Sequence, residues 1–206
     1  MMQESKSSVL DWDGTPEPVL DAALSPPQCV FIEASPSHGS GADEPRHGAH
    51  GLYLSLTTLT AYRQNIAALL VAKLGERFPL AEHQRECMET AIYEAITNAV
   101  LHGNLGISKH PGGGLEGLDE LGELVAYRLA QGEFALKRVR IEARWNETEI
   151  EIAIRDEGAG YDVRPIEAEG DPQCGFSGRG LMIVRAMADR TEVREGGRCL
   201  CLAFSR

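Results

Sequence analysis

Between residues 138 and 155 the chain alternates with a period of two. Val139, Ile141, Ala143 and Trp145 interleave with Arg138, Arg140, Glu142 and Arg144. After Asn146-Glu147, Ile150, Ile152 and Ile154 interleave with Glu149, Glu151 and Arg155. Successive side chains of a strand point to opposite faces, so this is a hairpin with one apolar and one charged face. Parallel strands buried on both faces read instead as continuous apolar runs. The expected fold is therefore an α/β (α+β) two-layer sandwich, a mostly antiparallel sheet packed on helices with its other side wet.

The rest of the chain supplies matching parts. Leu52 to Leu56 reads as an opening strand, followed by Thr57 or Thr58 as a helix N-cap. Leu59, Tyr62, Ile66, Leu69, Leu70 and Leu74 then recur at helical spacing, stopped by Gly75. A second helix is expected from about Leu80 to His102, burying Cys87, Met88, Ala91, Ile92, Ala95, Ile96 and Ala99. Residues 105–136 are the least regular part, with a flexible loop at His110–Gly114 and a helix over Leu118–Gln131. That stretch reads either as a surface excursion or as a partner-binding element. A helix from about Gly180 to Asp189 and strands at Thr191–Glu195 and Cys199–Phe204 complete the domain, taken as residues 51–206.

Residues 1–50 differ in character. They hold six of the ten prolines, and eight acidic residues against Lys6 and Arg46. This acidic Pro/Ser/Gly-rich segment is expected to be largely flexible, because such a composition seldom repays its ordering entropy. Two exceptions are considered: Cys29–Ile32 as a short added strand, and His38, His47 and His50 as a weak metal cluster rather than loop histidines. The net charge of −11 argues against direct nucleic-acid binding, which needs a basic stripe, but not against a basic protein partner. The longest run without a polar residue, Ile66–Ala72, is seven residues, too short for a membrane span. The first residues lack an apolar signal region, and five cysteines without C-x-x-C spacing fit no disulfide or zinc framework. The expected location is cytoplasmic. Cys199 and Cys201, two apart on a strand, are expected to be small core residues.

Three segments carry chemistry. Glu94 and Asn98, four apart in E-A-I-T-N-A-V-L-H-G-N (94–104), share a helix face. There a carboxylate can accept a proton beside an amide oxygen that suits a hard cation such as Mg²⁺. Gly103 fits the C-cap of that helix. Asp156, Gly158 and Gly160 form D-x-G-x-G after the second hairpin strand. Its glycines allow close approach of a flat ligand, and its carboxylate can accept from an exocyclic amine. Gly178, Arg179, Gly180 and Leu181 open a helix, whose free N–H groups suit phosphates. Residues Val163 to Ser177, between the last two, have the length and composition of a lid. A Rossmann reading fails, since no strand leads into Gly178.

In this order the three motifs resemble the N, G1 and G2 boxes of the GHKL (Bergerat) ATP-binding fold. The 94–104 stretch is similar to that of bacterial anti-sigma factor serine/threonine kinases. The resemblance covers roughly residues 52–206. It implies ATP and Mg²⁺ as cofactors, Asn98 as metal ligand and Glu94 as general base. It also implies Asp156 as adenine reader with Gly158 and Gly160 against the base, and Gly178 and Gly180 in the phosphate-binding turn. His102 reads either as a nucleotide contact or as a packing residue near Gly103. Arg179 reads either as a phosphate contact or as a solvated arginine. The implied partners are a small anti-sigma factor antagonist-like protein, phosphorylated on serine, and a sigma factor, with a homodimer as the assembly. The alternatives are a nucleotide-dependent binding module without phosphotransfer, and a histidine-kinase-like ATPase, for which no separate hairpin carries an acceptor histidine. The chain departs from the family in the long stretch between the first two motifs. It also has Arg198 after Gly197, where members often carry Thr.

Overall fold

The computed structural model describes residues 13–34, 51–107, 115–160 and 177–206. The three tail histidines, the loop His110–Gly114 and lid residues 163–176 lie outside the described residues.

Six strands form one sheet: β1 (Val30–Ile32), β2 (Gly51–Thr57), β3 (Arg138–Trp145), β4 (Glu149–Arg155), β5 (Arg190–Arg194) and β6 (Cys199–Ser205). Their order is β1-β2-β3-β4-β6-β5, antiparallel throughout except for the parallel pair β1–β2. The alternation read from the hairpin sets the register. Leu54, Ile141, Ile154 and Leu200 form one row across four strands, and Leu52, Ala143, Ile152 and Leu202 the next. All eight are buried in the core.

The helices lie over that apolar face. They are α1 (Glu17–Leu24), α2 (Thr58–Arg63), α3 (Ile66–Gly75), α4 (Glu82–Asn98), α5 (Leu115–Leu129), α6 (Gly132–Ala135) and α7 (Ser177–Met187). The result is the expected two-layer sandwich, with α4 packed against both α3 and α7. None of the described helices is long and apolar enough to cross a membrane. Thr57 does cap α2, its hydroxyl accepting from Thr60 N–H at 3.2 Å. The single helix expected from Leu59 to Leu74 is instead two. Asn65 leaves helical geometry and caps α3 by accepting from Ala68 N–H, which turns Tyr62 half out to solvent. Five of the apolar residues expected inside α4 are buried, Cys87 being only partly covered.

Residues 13–34 are packed onto this domain. The strand considered at Cys29–Ile32 is present as β1. Leu20 and Leu24 of α1 are fully buried, each contributing about 1.5–3 kcal/mol, enough to offset much of the ordering cost that composition suggested. Arg77 holds the segment from α3's end by donating to the Leu24 and Gln28 carbonyls at 3.0 and 2.7 Å. Buried Lys73 reaches Asp21 and Glu76, both at 2.8 Å. Glu33, also buried, accepts from Thr15 Oγ1 at 2.8 Å, from Thr60 Oγ1 and from the Thr57 N–H. Arg138 in turn donates to the Glu33 carbonyl at 2.8 Å.

Cys199 and Cys201 are buried, but on the opposite face from the helical core. Leu200, Leu202 and Phe204 take the core side of β6, leaving the cysteines under charged side chains of the outer face. Arg155–Glu195 at 2.6 Å, Arg194–Glu192 at 2.6 Å and Arg144–Glu142 at 2.6 Å tile that surface. Parity placed the pair on one face correctly; apolarity alone did not say which.

Candidate functional site

The long helix α4 delivers Glu94 and Asn98 in its last turns, both half-buried. The first turn of α7 packs across them at Gly180. A methyl group there would lie 3.0 Å from Glu94 Oε2 and 3.3 Å from both terminal atoms of the Asn98 amide. Glycine thus lets two backbones converge until an N-terminal helix turn stands beside a carboxylate and an amide oxygen. Gly178 and Arg179 lie in that same turn, while Leu181 is buried in the core.

Beyond Asn98 the α-helix widens into a π-turn over Ala99–Asn104, a form frequent at functional sites. Leu105 N–H bonds to the Val100 carbonyl five residues back, at 2.9 Å. His102 Nδ1–H donates to the Ile107 carbonyl at 2.6 Å, so this histidine fastens the exit of the turn. The expected C-cap role of Gly103 is not what the structure has. Gly103 sits inside the π-turn, and it is Gly106 that adopts the left-handed conformation, with φ +63°. Gly103 answers a different need. A methyl group on it would fall 2.4 Å from the carboxyl carbon of Asp156, so the carboxyl rests directly on its Cα.

Asp156 follows β4 and is 9 % exposed. Its Oδ1 accepts from Gly158 N–H at 2.7 Å, and Gly158 itself lies so close to the Gly103 carbonyl that no side chain fits. Burial pushes the Asp156 carboxyl above the ordinary carboxylate range. The Gly158 hydrogen bond and the charges of Arg198 and Lys137 pull it part of the way back. Gly160, at φ +74°, presses on the Gly196 carbonyl in the turn between β5 and β6. The motifs read from sequence therefore form two clusters: Glu94, Asn98 and Gly180 at one, Asp156, Gly103 and Gly158 at the other. The π-turn joins them.

Asn104, which closes the motif without a role assigned from sequence, locks the joint. Fully buried, it donates to Thr58 Oγ1 at 2.8 Å and to the Arg138 carbonyl at 3.0 Å, and its Oδ1 accepts from Glu157 N–H at 2.7 Å. Glu157 then accepts from Arg138 N–H and ion-pairs with Arg140 at 2.7 Å. Lys137 donates to the Asn104 carbonyl at 3.1 Å. Only the terminal position of Asn104 in the 94–104 run could have signalled this. Lys137 and Glu157 carry no motif.

Chemically, one cluster offers a desolvated acceptor in a glycine-lined slot. The other offers oxygen donors next to a helix start, which suits anionic oxygens and a hard cation. Among the described residues no three His, Cys, Asp or Glu side chains gather as a protein metal cage. Mg²⁺ fits here in its usual manner, with few protein oxygens and the remainder from phosphate and water.

Residues 122–205 match the family model of the histidine kinase-like ATPase domain. No curated protein matches the chain. The ATPase-like span starts within α5 and takes in Asp156, Gly158, Gly160, Gly178, Gly180 and Arg198. It supports a nucleotide-binding module of the GHKL kind. Glu94 to Asn104 precede the matched span, and it is the packing of Gly103 and Gly180 that brings them to it.

Proposed function

We propose that this chain is an ATP–Mg²⁺-dependent serine/threonine protein kinase of the anti-sigma factor type, acting in the cytoplasm on a small antagonist-like protein. In its other partner state it sequesters a sigma factor, and it works as a homodimer. The observation that carries the reading is the contact of Gly180 with both Glu94 and Asn98. A module that only bound nucleotide would have no use for a carboxylate at that spot.

In this mechanism Asp156 accepts from the adenine amine, and the first N–H groups of α7 receive phosphate oxygens. Asn98 Oδ1 would hold Mg²⁺, whose charge would offset that of the triphosphate. Glu94 accepts the proton of the acceptor serine as its oxygen forms a bond to the γ-phosphorus. The bond from that phosphorus to the β–γ bridging oxygen breaks, and ADP departs.

The test is γ-labelled ATP with the co-purifying partner, followed by mass spectrometry of that partner. Glu94→Ala is expected to lose ~10²–10⁴ in transfer rate while still binding ATP. Asn98→Ala is expected to lose Mg²⁺-nucleotide affinity and transfer together. A partner serine phosphorylated at the wild-type rate by Glu94→Ala removes Glu94 as base. Absence of any phosphoprotein with wild type replaces the kinase by a nucleotide-dependent binding module.

A further inference from the structure

Glu33 is a buried carboxylate directly after β1, in a segment that no motif marks, and is 1 % exposed. Its side chain accepts from the Thr57 N–H, from Thr60 Oγ1 and from Thr15 Oγ1. Its carbonyl accepts from the Arg138 guanidinium at 2.8 Å, and its N–H donates to the Ser55 carbonyl at 2.9 Å. Arg138 is itself 3 % exposed, and its backbone holds the joint between the two clusters. The Arg138 N–H donates to Glu157 Oε2 at 2.9 Å, and its carbonyl accepts from Asn104 Nδ2 at 3.0 Å. Burial pulls the guanidinium below the usual arginine range, and the charges of Glu33 and Glu157 act against that. One buried cation is thus compensated from two sides, by the leading segment and by the residue next to Asp156. A second route runs through the start of α2. Thr58, next to the Thr57 N–H that Glu33 binds, donates its N–H and its hydroxyl to the Lys137 carbonyl at 2.8 and 3.0 Å. The same hydroxyl accepts from Asn104 at 2.8 Å. Both routes meet at Asn104, the last residue of the π-turn that begins after Asn98.

We propose that Glu33 is a positioning residue for the nucleotide site, so that docking of residues 13–34 and binding of nucleotide each favour the other. The inference rests on the nucleotide reading above and adds the regulation of that site. When the segment undocks, Arg138 loses the Glu33 carbonyl and carboxylate together, and the Thr57 N–H loses its acceptor. A buried cation deprived of a partner is costly, and the other carboxylate whose charge acts on Arg138 is that of Glu157. Movement of Glu157 towards the guanidinium strains its ion pair with Arg140 and its N–H bond to Asn104. The loop has little slack to absorb this, because Gly158 lies too close to the Gly103 carbonyl for even a methyl group. A shift at Glu157 therefore reaches the Asp156 slot and the π-turn at once. Linkage is reciprocal: the factor by which docking raises nucleotide affinity is the factor by which nucleotide favours docking.

The experiment combines two measurements on the full chain: hydrogen–deuterium exchange with and without saturating ADP–Mg²⁺, and calorimetric titration with ADP. Wild type, Glu33→Ala and Glu33→Gln are compared, with β4 amides as the reference for global opening. In wild type, ADP is expected to slow exchange across residues 17–33 by about tenfold, a usual size for coupled sites. Glu33→Ala is expected to bind ADP about tenfold more weakly, for the same reason. Glu33→Gln keeps the shape and an acceptor oxygen but not the charge, and should recover part of that loss. A residue that served stability alone would lower the melting temperature and leave ADP affinity and ADP-dependent protection unmoved. Wild-type ADP affinity in folded Glu33→Ala overturns the proposal, and so does Glu33→Gln no closer to wild type than Glu33→Ala. If Glu33→Ala does not fold, the wild-type exchange comparison decides alone. Wild type that binds ADP without slower exchange at 17–33 defeats only this inference; folded wild type that binds no ADP defeats the nucleotide reading as well.

Discussion

In Gly180→Ala the added methyl group arrives 3.0 Å from Glu94 Oε2 and 3.3 Å from both ends of the Asn98 amide. Those gaps are a few tenths of an ångström short of comfortable contact, and the atoms met are the free ends of side chains. The carboxylate and amide give way, and the backbone does not. Gly180 is helical and not among the residues of positive φ, so alanine adds no backbone strain. Alanine favours a helix interior over glycine by about 0.8–1 kcal/mol, less in a first turn, which offsets the local crowding. For a chain of this size 1 kcal/mol corresponds to roughly 2–4 °C, so the melting temperature should stay within about 3 °C of wild type. Function should not stay. Displacing a reacting group by about 1 Å costs on the order of 10²-fold in rate, and that is the loss expected in phosphotransfer. ADP affinity should fall by about tenfold or less, since the proposed base slot at Asp156 is untouched. Thermal melting by circular dichroism, run beside the γ-labelled ATP assay on one preparation, checks both halves. Transfer at the wild-type rate, or a melting temperature lower by more than about 6 °C, refutes the reasoning.

Asp156→Asn should raise thermal stability at neutral pH while weakening ATP and ADP alike. Because burial raises the folded-state carboxyl, the folded chain holds that proton more tightly than the unfolded one. Stability is therefore lost as pH rises through the carboxylate range, and melting curves from pH 4 to 7 should be flatter for the variant. Asn104→Ala, which strands the Thr58, Arg138 and Glu157 groups it joins, should cost about 3 kcal/mol or more in urea unfolding. Leu20→Ala should cost about 2–5 kcal/mol although it lies in the acidic leading segment, and a change under about 1 kcal/mol would mean that α1 is not docked in solution.

Much of the fold was legible because its sheet is wet on one side. Alternation at 138–155 gave faces and pairing at once, and Thr57 announced the helix that it caps. The three motif segments were legible as segments because glycine and carboxylate at those spacings have few uses. What remained hidden depends on the far side of each contact. Gly103 looked like a cap because a glycine after a helix is usually one; that Asp156 comes to rest on it is a fact about residue 156. Asn65 broke a helix through a hydrogen bond that outweighs apolar periodicity. The docking of residues 13–34 turns on two leucines, Leu20 and Leu24, within a composition that otherwise argues for a chain without a core. Arg198 was visible as a departure, yet only the fold shows its side chain beside Gly160 and the Glu195 carbonyl.

The short parallel strand β1 has a consequence for association. β2 is a seven-residue strand buried along its whole length, and β1 covers its outer edge through three residue pairs. Were residues 13–34 to detach, β2 would become an open edge with unpaired N–H and carbonyl groups and the apolar side chains of Leu52, Leu54 and Leu56. Exposed edges of that kind template pairing with another chain. The leading segment thus acts as a guard on self-association, and cutting it away should leave a protein whose losses depend on concentration: folded when dilute, aggregating when crowded.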